Sequence, residues 1–446
     1  MSFINHGFLL LLPVFLFLSG PLSSSAEDFK LEQLLSDKDK FLGINADSFI
    51  SKETQKYFVW LTEDKKEAHF PGYSNSPALT LFGIKVCEVN VRFKDGKIDD
   101  MLVSIYNRGD AGEIDEAKFQ ALRSEIDSKF SEWAGNKGVE HRKTKVAGCD
   151  LNTKVWVKDE AVSSILRWSS TGRGRDFRAE YLNLEFSAFD PKDDPRKTPP
   201  PANSLKGAPK AASAKEIKNN VVRKEDGDVY VDNVPMVDQG QKGYCAAATA
   251  ERILRYYGMD VTQHVLAQIM NTDSDEGTDS EKMLKSLQRA STKYGVRLRN
   301  HYDWKFNDFE KLMANYNRFA KKAKKREINL SSYKSLTEIY KDLDLEIMKK
   351  AKTESEKQQY KTFLSDIRKH VDEGVPLFWG VVLGIIKEEK IPQVFGGHMR
   401  IIIGYNDKTK EIIYTDSWGN GHEFKKMAAD DAWVMTNGLY SYDPRR

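Results

Sequence analysis

A chain of 446 residues has room for two or three domains. Its 69 Lys and Arg set against 66 Asp and Glu leave a formal charge of +3, so no global cationic field marks it as a nucleic-acid binder. The sequence shows no phosphate loop, no zinc spacing and no Gly-rich dinucleotide turn, and no cofactor or metal is expected.

Phe8 to Leu18 is an apolar run of signal-core length, and Ser24-Ser25-Ala26 offers a small-residue cleavage point. Residues 1–26 are therefore expected to be a signal peptide, and the run is too short for a stable transmembrane helix of about 20 residues. The expected location is secreted or periplasmic. Three cysteines in an exported chain leave one thiol over: Cys87 and Cys149 can pair in an oxidising compartment, with Cys245 free.

Residues 27–190 predict a small α+β domain. Leu79 to Phe93 and Lys97 to Tyr106 alternate around Lys94-Asp95-Gly96, a hairpin signal. Glu113 to Ala134 carries Phe119, Leu122, Ile126, Phe130 and Trp133 at helical spacing. Further strands are expected at Lys154 to Trp156, Ser163 to Trp168 and Phe177 to Phe189, turning at Gly172-Arg173-Gly174. This domain is expected to restrain or to target the half that follows. Residues 191–228, with Pro199-Pro200-Pro201 and many lysines, read as a linker.

Residues 229–446 predict a helical half followed by a β half. A helix is expected from Cys245 to Tyr257, stopped by Gly258, and another from Val261 to Met270. Thr278 and Glu281 form a capping-box pattern ahead of a third. Residues 307–373 read as a helical insertion. Its run Lys321 to Arg326 is either a solvated helix face or a contact for an anionic cell surface. Pro376 to Leu383, Met399 to Tyr405 and Glu411 to Thr415 read as buried strands.

The chemistry is concentrated in three segments. Gln239-Gly240-Gln241-Lys242-Gly243-Tyr244-Cys245 opens the first of these helices, where free N–H groups and the helix dipole lower a thiol pKa. His398-Met399-Arg400-Ile401-Ile402-Ile403-Gly404-Tyr405 supplies an imidazole, and Asp416-Ser417-Trp418-Gly419 a carboxylate to orient it, unless Asp416 only forms an Asx turn with Ser417. Gln239 and Gln241 are the candidate side-chain donors to an oxyanion, and Gln239 is favoured by its six-residue spacing. His422, the other histidine near Asp416, reads as loop.

These segments resemble papain-like cysteine peptidases, in which a glutamine stands six residues before the nucleophile, a His-bearing strand ends in Gly-Tyr, and Asn-Ser-Trp-Gly holds the histidine. Asp416 in the Asn position is similar to the bacterial branch that cleaves double-glycine leaders from exported peptides. Ala246 and Lys242 depart from papain itself, which has Trp and a disulfide cysteine there. The resemblance spans about residues 234–446. It implies an α+β, papain-like catalytic domain acting on a peptide or protein substrate, with Cys245 as nucleophile, His398 as acid and base, Asp416 orienting it and Gln239 stabilising the oxyanion. A transpeptidase or amidase would use the same constellation, and a catalytically silent binding or adhesion protein would keep the fold alone. The sequence does not fix an oligomeric state.

Overall fold

A computed structural model describes residues 29–35, 38–72, 78–146, 149–198, 213–259, 261–272, 280–391 and 395–444. The expected signal peptide and the Thr278 capping box lie outside them.

The N-terminal part is built on an antiparallel sheet, nine-stranded among the described residues. Its central strands are Glu88–Lys94, Lys97–Asn107, Arg178–Ala188, Val162–Thr171 and Cys149–Lys158, side by side in that order. Asp95 (φ 52°) and Gly96 (φ 78°) both take positive φ, the conformation a two-residue hairpin of this twist requires. The helix Glu116–Ala134 begins where the Asp115 carboxylate accepts from Lys118 N at 2.7 Å and ends at left-handed Gly135. It buries Phe119, Ile126 and Phe130 against the sheet, each contributing about 1.5–3 kcal/mol.

Two expectations fail here. Leu79 to Phe93 is not one strand, because Phe82 (φ 51°) and Gly83 (φ 78°) turn the chain between Leu79–Leu81 and Ile84–Lys85. Nor does Cys87 pair with Cys149: its thiol is free and donates to Ile105 O. Three strands separate the one that follows Cys87 from the one that begins at Cys149. That is a gap of about 19 Å at ~4.8 Å per strand, far beyond disulfide reach. The Cys149 side chain itself lies outside the described residues.

The C-terminal part is a second antiparallel sheet with helices against it. Its backbone runs Val221–Arg223, Asp228–Val231, Gly396–Asn406, Leu377–Leu383, Thr436–Asp443, Arg297–Asp303, and Glu411–Thr415 pairs with the far side of Gly396–Asn406. Two of these strands and the helix Ala214–Lys218 begin inside or next to the stretch expected as linker, so the tether ends before 213 rather than at 228. Cys245–Tyr256 is buried almost throughout, and its alanines let it approach the sheet closely enough for Thr249 Oγ1 to donate to Met399 O at 3.2 Å.

The expected insertion divides in two. Phe306–Lys322, Leu336–Asp342 and Leu345–Ser355 enclose a core of their own around Phe309, Met313, Tyr316 and Met348, reaching the rest through Val434. Lys357–Asp372 instead sends Phe363, Ile367 and Val371 into the main core. Of the basic run, Lys325 pairs with Asp344 and Arg326 with Asp342. Among the described residues no helix is long and apolar enough to cross a membrane.

Candidate active site

Strand register assembles the first part of the site. Val381 faces His398 across one strand pair and Ile401 faces Thr415 across the other, which brings Asp416, just past its strand, opposite Arg400. His398 and Arg400, two residues apart, project from the same face. Asp416 lies between them: His398 Nε2 is 2.7 Å from Oδ1, and Arg400 Nε is 2.9 Å from Oδ2. Glu388 holds the far side of Arg400 at 2.9 Å.

The second part comes from Cys245–Tyr256. No side chain caps its N-terminus, so the backbone N–H of Ala246 is left for the Cys245 sulfur, which also accepts from Met399 N and hydrogen-bonds to His398. Since Nε2 of His398 is taken by Asp416, the nitrogen facing the thiol is Nδ1. Arg252 ties the same helix to the Asp416 loop, donating to Asp416 O at 2.7 Å and to Thr415 Oγ1 at 2.6 Å.

Electrostatics follow from these contacts. Burial pushes the Cys245 thiol up, but the hydrogen-bonded, cationic His398 outweighs it and holds the thiol below its ordinary value. Burial disfavours the His398 cation, yet Asp416 and the Cys245 sulfur raise its pKa to about 9. Asp416, despite its own burial, is held down to about 2 by Arg400 and His398. Trp418 stacks flat on the imidazole, 4.4 Å between centroids at 6°, and shields the pair from water. His422 contributes through its backbone, accepting from Asp416 N at 3.0 Å and Thr415 Oγ1 at 2.9 Å.

Gln239 and Gln241 are separated by exposure. Gln241 is exposed, whereas Gln239 is buried, with its N–H donating to Ser417 O at 2.9 Å and its side-chain oxygen without a protein partner among the described residues. Gly240 turns the loop at φ 69°. Lys242 leaves the loop in the opposite direction and enters the N-terminal part, where Gly109 packs so closely that an added Cβ would meet the Tyr244 ring and the Lys242 stem at 2.7 and 2.8 Å. The structure thus gathers Cys245, His398 and Asp416, and places Gln239 buried on the loop that leads to them. Sequence reasoning missed Arg400 as the second partner of Asp416. The signal was a lone charge two residues beyond His398 in an otherwise apolar strand.

The C-terminal half thus combines an antiparallel sheet and its helices with a thiol–imidazole–carboxylate cluster. Residues 231–441, just under half of the chain, match the model of the Peptidase_C39 like family, and this part of the chain is similar to peptidases of that type. No curated protein matches the chain. Among solved structures, xylellain, a cysteine protease from Xylella fastidiosa, aligns at 14% identity over 54% of this chain and 91% of its own, with a TM-score of 0.26, too remote a likeness to carry an argument.

Proposed function

We propose that the protein is an exported peptidase that hydrolyses peptide bonds through a thioacyl intermediate on Cys245. The observation that carries this reading is the placement of His398, bound through Nε2 to Asp416 and through its other nitrogen to the Cys245 sulfur. The thiolate attacks the scissile carbonyl carbon, and His398 passes its proton to the leaving amine. Neutral His398 then takes a proton from water, whose oxygen attacks the thioester, and the carboxylic acid departs as the Cys245 thiolate and the His398 imidazolium are restored. The Cys245 backbone N–H and the Gln239 side chain face the oxyanion. Export rests on the apolar run at Phe8 to Leu18 and the small residues that follow it.

Profiling a peptide library with residues 27–446 tests the proposal, with Cys245→Ala as control. Cleavage that disappears in the control supports it, and products joined to an added amine would make the enzyme a transpeptidase. Absence of both cleavage and a trapped acyl-enzyme leaves only the silent binding protein.

A further inference from the structure

His301 lies on the edge strand Arg297–Asp303, whereas Asp366 and His370 are one turn apart on Lys357–Asp372, the helix packed behind it. One ligand-type atom from each of the three lies within 4.8 Å of the others, and His301 Nδ1 is 3.8 Å from Asp366 Oδ2. The two rings meet edge to face with centroids 4.4 Å apart.

The hydrogen bonds around the cluster settle which nitrogens carry protons. His370 Nδ1 is 2.7 Å from the Asp366 carbonyl oxygen, which can only accept, so the proton is on Nδ1 and Nε2 offers a lone pair. Ser441 Oγ donates to Asp443 Oδ1 at 2.7 Å, so it accepts from His301 Nε2 at 3.0 Å, and the His301 lone pair is on Nδ1. These outer partners occupy His370 Nδ1 and His301 Nε2 and leave His370 Nε2 and His301 Nδ1 for a ligand, the arrangement that fixes and orients metal-binding histidines. Half-buried His301, buried His370 and the quarter-exposed Asp366 leave one open side.

We propose that His301, Asp366 and His370 bind a zinc-type divalent cation that fastens the Lys357–Asp372 helix to the edge of the sheet. Two imidazoles with a carboxylate suit a borderline cation better than calcium or magnesium, which select oxygen. Tetrahedral bonds of about 2.0–2.1 Å bring ligand atoms to roughly 3.4 Å from one another, so the cluster closes by at most ~1.4 Å, within reach of small side-chain rotations. Arg297, Arg299 and Lys369 also line this depression, and their charge favours hydroxide or another anion as the fourth ligand. Arg299 is itself paired with Asp443. The site is remote from Cys245 in sequence and strand order, so its role is structural.

The test uses untagged Cys245→Ala chain, which removes the catalytic thiol as a competing ligand. Zinc titration against a chromophoric chelator should give one ion per chain, zinc should raise the melting temperature, and cobalt should give visible bands without sulfur charge transfer. Asp366→Asn and His370→Ala in that background should each weaken binding by about tenfold or more and remove the thermal shift. Should His370→Ala fail to fold, Asp366→Asn and His301→Gln decide the matter. No stoichiometric binding, equal affinity in these variants, or a sulfur–cobalt band overturns the proposal.

Discussion

Lys242 and Glu88 form an ion pair, Nζ to Oε2 2.9 Å, in which both side chains are buried although one belongs to the loop before Cys245 and the other to the N-terminal sheet. Asp110, on the short helix Arg108–Ala111 that follows the strand Lys97–Asn107, completes the pair at 2.9 Å. Burial disfavours the charges of Glu88 and Lys242, yet the attraction between them holds Glu88 well below and Lys242 above their ordinary values. The N-terminal domain is thus fixed to the loop that carries Gln239, which argues for support of that loop rather than for a detachable inhibitor.

Breaking this pair from one side should be costly. Lys242→Ala leaves Glu88 uncompensated and is expected to lower stability by about 3–5 kcal/mol, with a fall in activity as the Gln239 loop loosens. Lys242→Met combined with Glu88→Gln should recover much of that loss. Denaturant curves on the singles and the double check this, and additive effects would show the two residues to be uncoupled. Residues 213–446 alone should accordingly be less active than the longer chain, whereas a gain on truncation would restore the inhibitory reading.

The pH profile follows from opposite shifts within one pair. The thiol is held below its ordinary value and His398 is raised to about 9, so the thiolate–imidazolium form should persist across neutral pH. The rate of Cys245 alkylation should therefore be flat near pH 7, and kcat/KM should fall as pH rises through about 9. A single inflection near ~8.5, the value of an isolated thiol, would refute the pairing. For stability, the raised His398 contributes fully below its ordinary value and loses that contribution as pH climbs through about 9. Depressed Asp416 contributes above its ordinary value and loses it as pH falls towards about 2.

Asp416 lies against two groups at once, hydrogen-bonded to His398 and ion-paired with Arg400, and this changes what a substitution does. An amide could accept from His398, which on sequence alone makes Asp416→Asn tolerable. With Arg400 Nε 2.9 Å from the second oxygen, the amide N–H2 must face one donor or the other. Asp416→Asn is therefore expected to lose about 10²–10⁴-fold in kcat/KM, and Asp416→Ala at least as much. A near-normal Asn variant would show that Arg400 does not constrain the carboxylate.

Brief iodoacetamide treatment of the folded protein should label Cys245 and spare Cys87, a half-buried thiol pushed up to about 11 by loss of solvent and by Asp110. Mass spectrometry of the peptides reads the outcome, and equal labelling of the two would sink the assignment of the reactive thiol.

The site was legible because its members are close in sequence or joined by one hairpin. Gln239 and Cys245 share a loop, and His398 and Asp416 are linked through adjacent strands. What could not be read depends on distant partners. Lys242 stood out only as a departure from papain, because its carboxylates lie in another domain. Lys357–Asp372 has the same amphipathic pattern as the helices before it, and only packing reveals that it belongs to the main core. The strands Arg297–Asp303 and Thr436–Asp443 escaped notice because their polar residues interrupt the apolar pattern.

The separate core around Phe309, Met313, Tyr316 and Met348 implies that the chain does not lose its structure all at once. A region with its own apolar centre, joined to the rest through Val434, Leu345 and Ile385, an ion pair of Lys349 with Asp431 at 2.6 Å and the Lys352 ammonium donating to Thr436 O at 2.7 Å, can open as a cooperative unit while the sheet behind it stays closed. Its amides should exchange with solvent deuterium together, well before those of Gly396–Asn406. A protease nick between Phe306 and Ser355 could then be tolerated without separating His398 from Asp416.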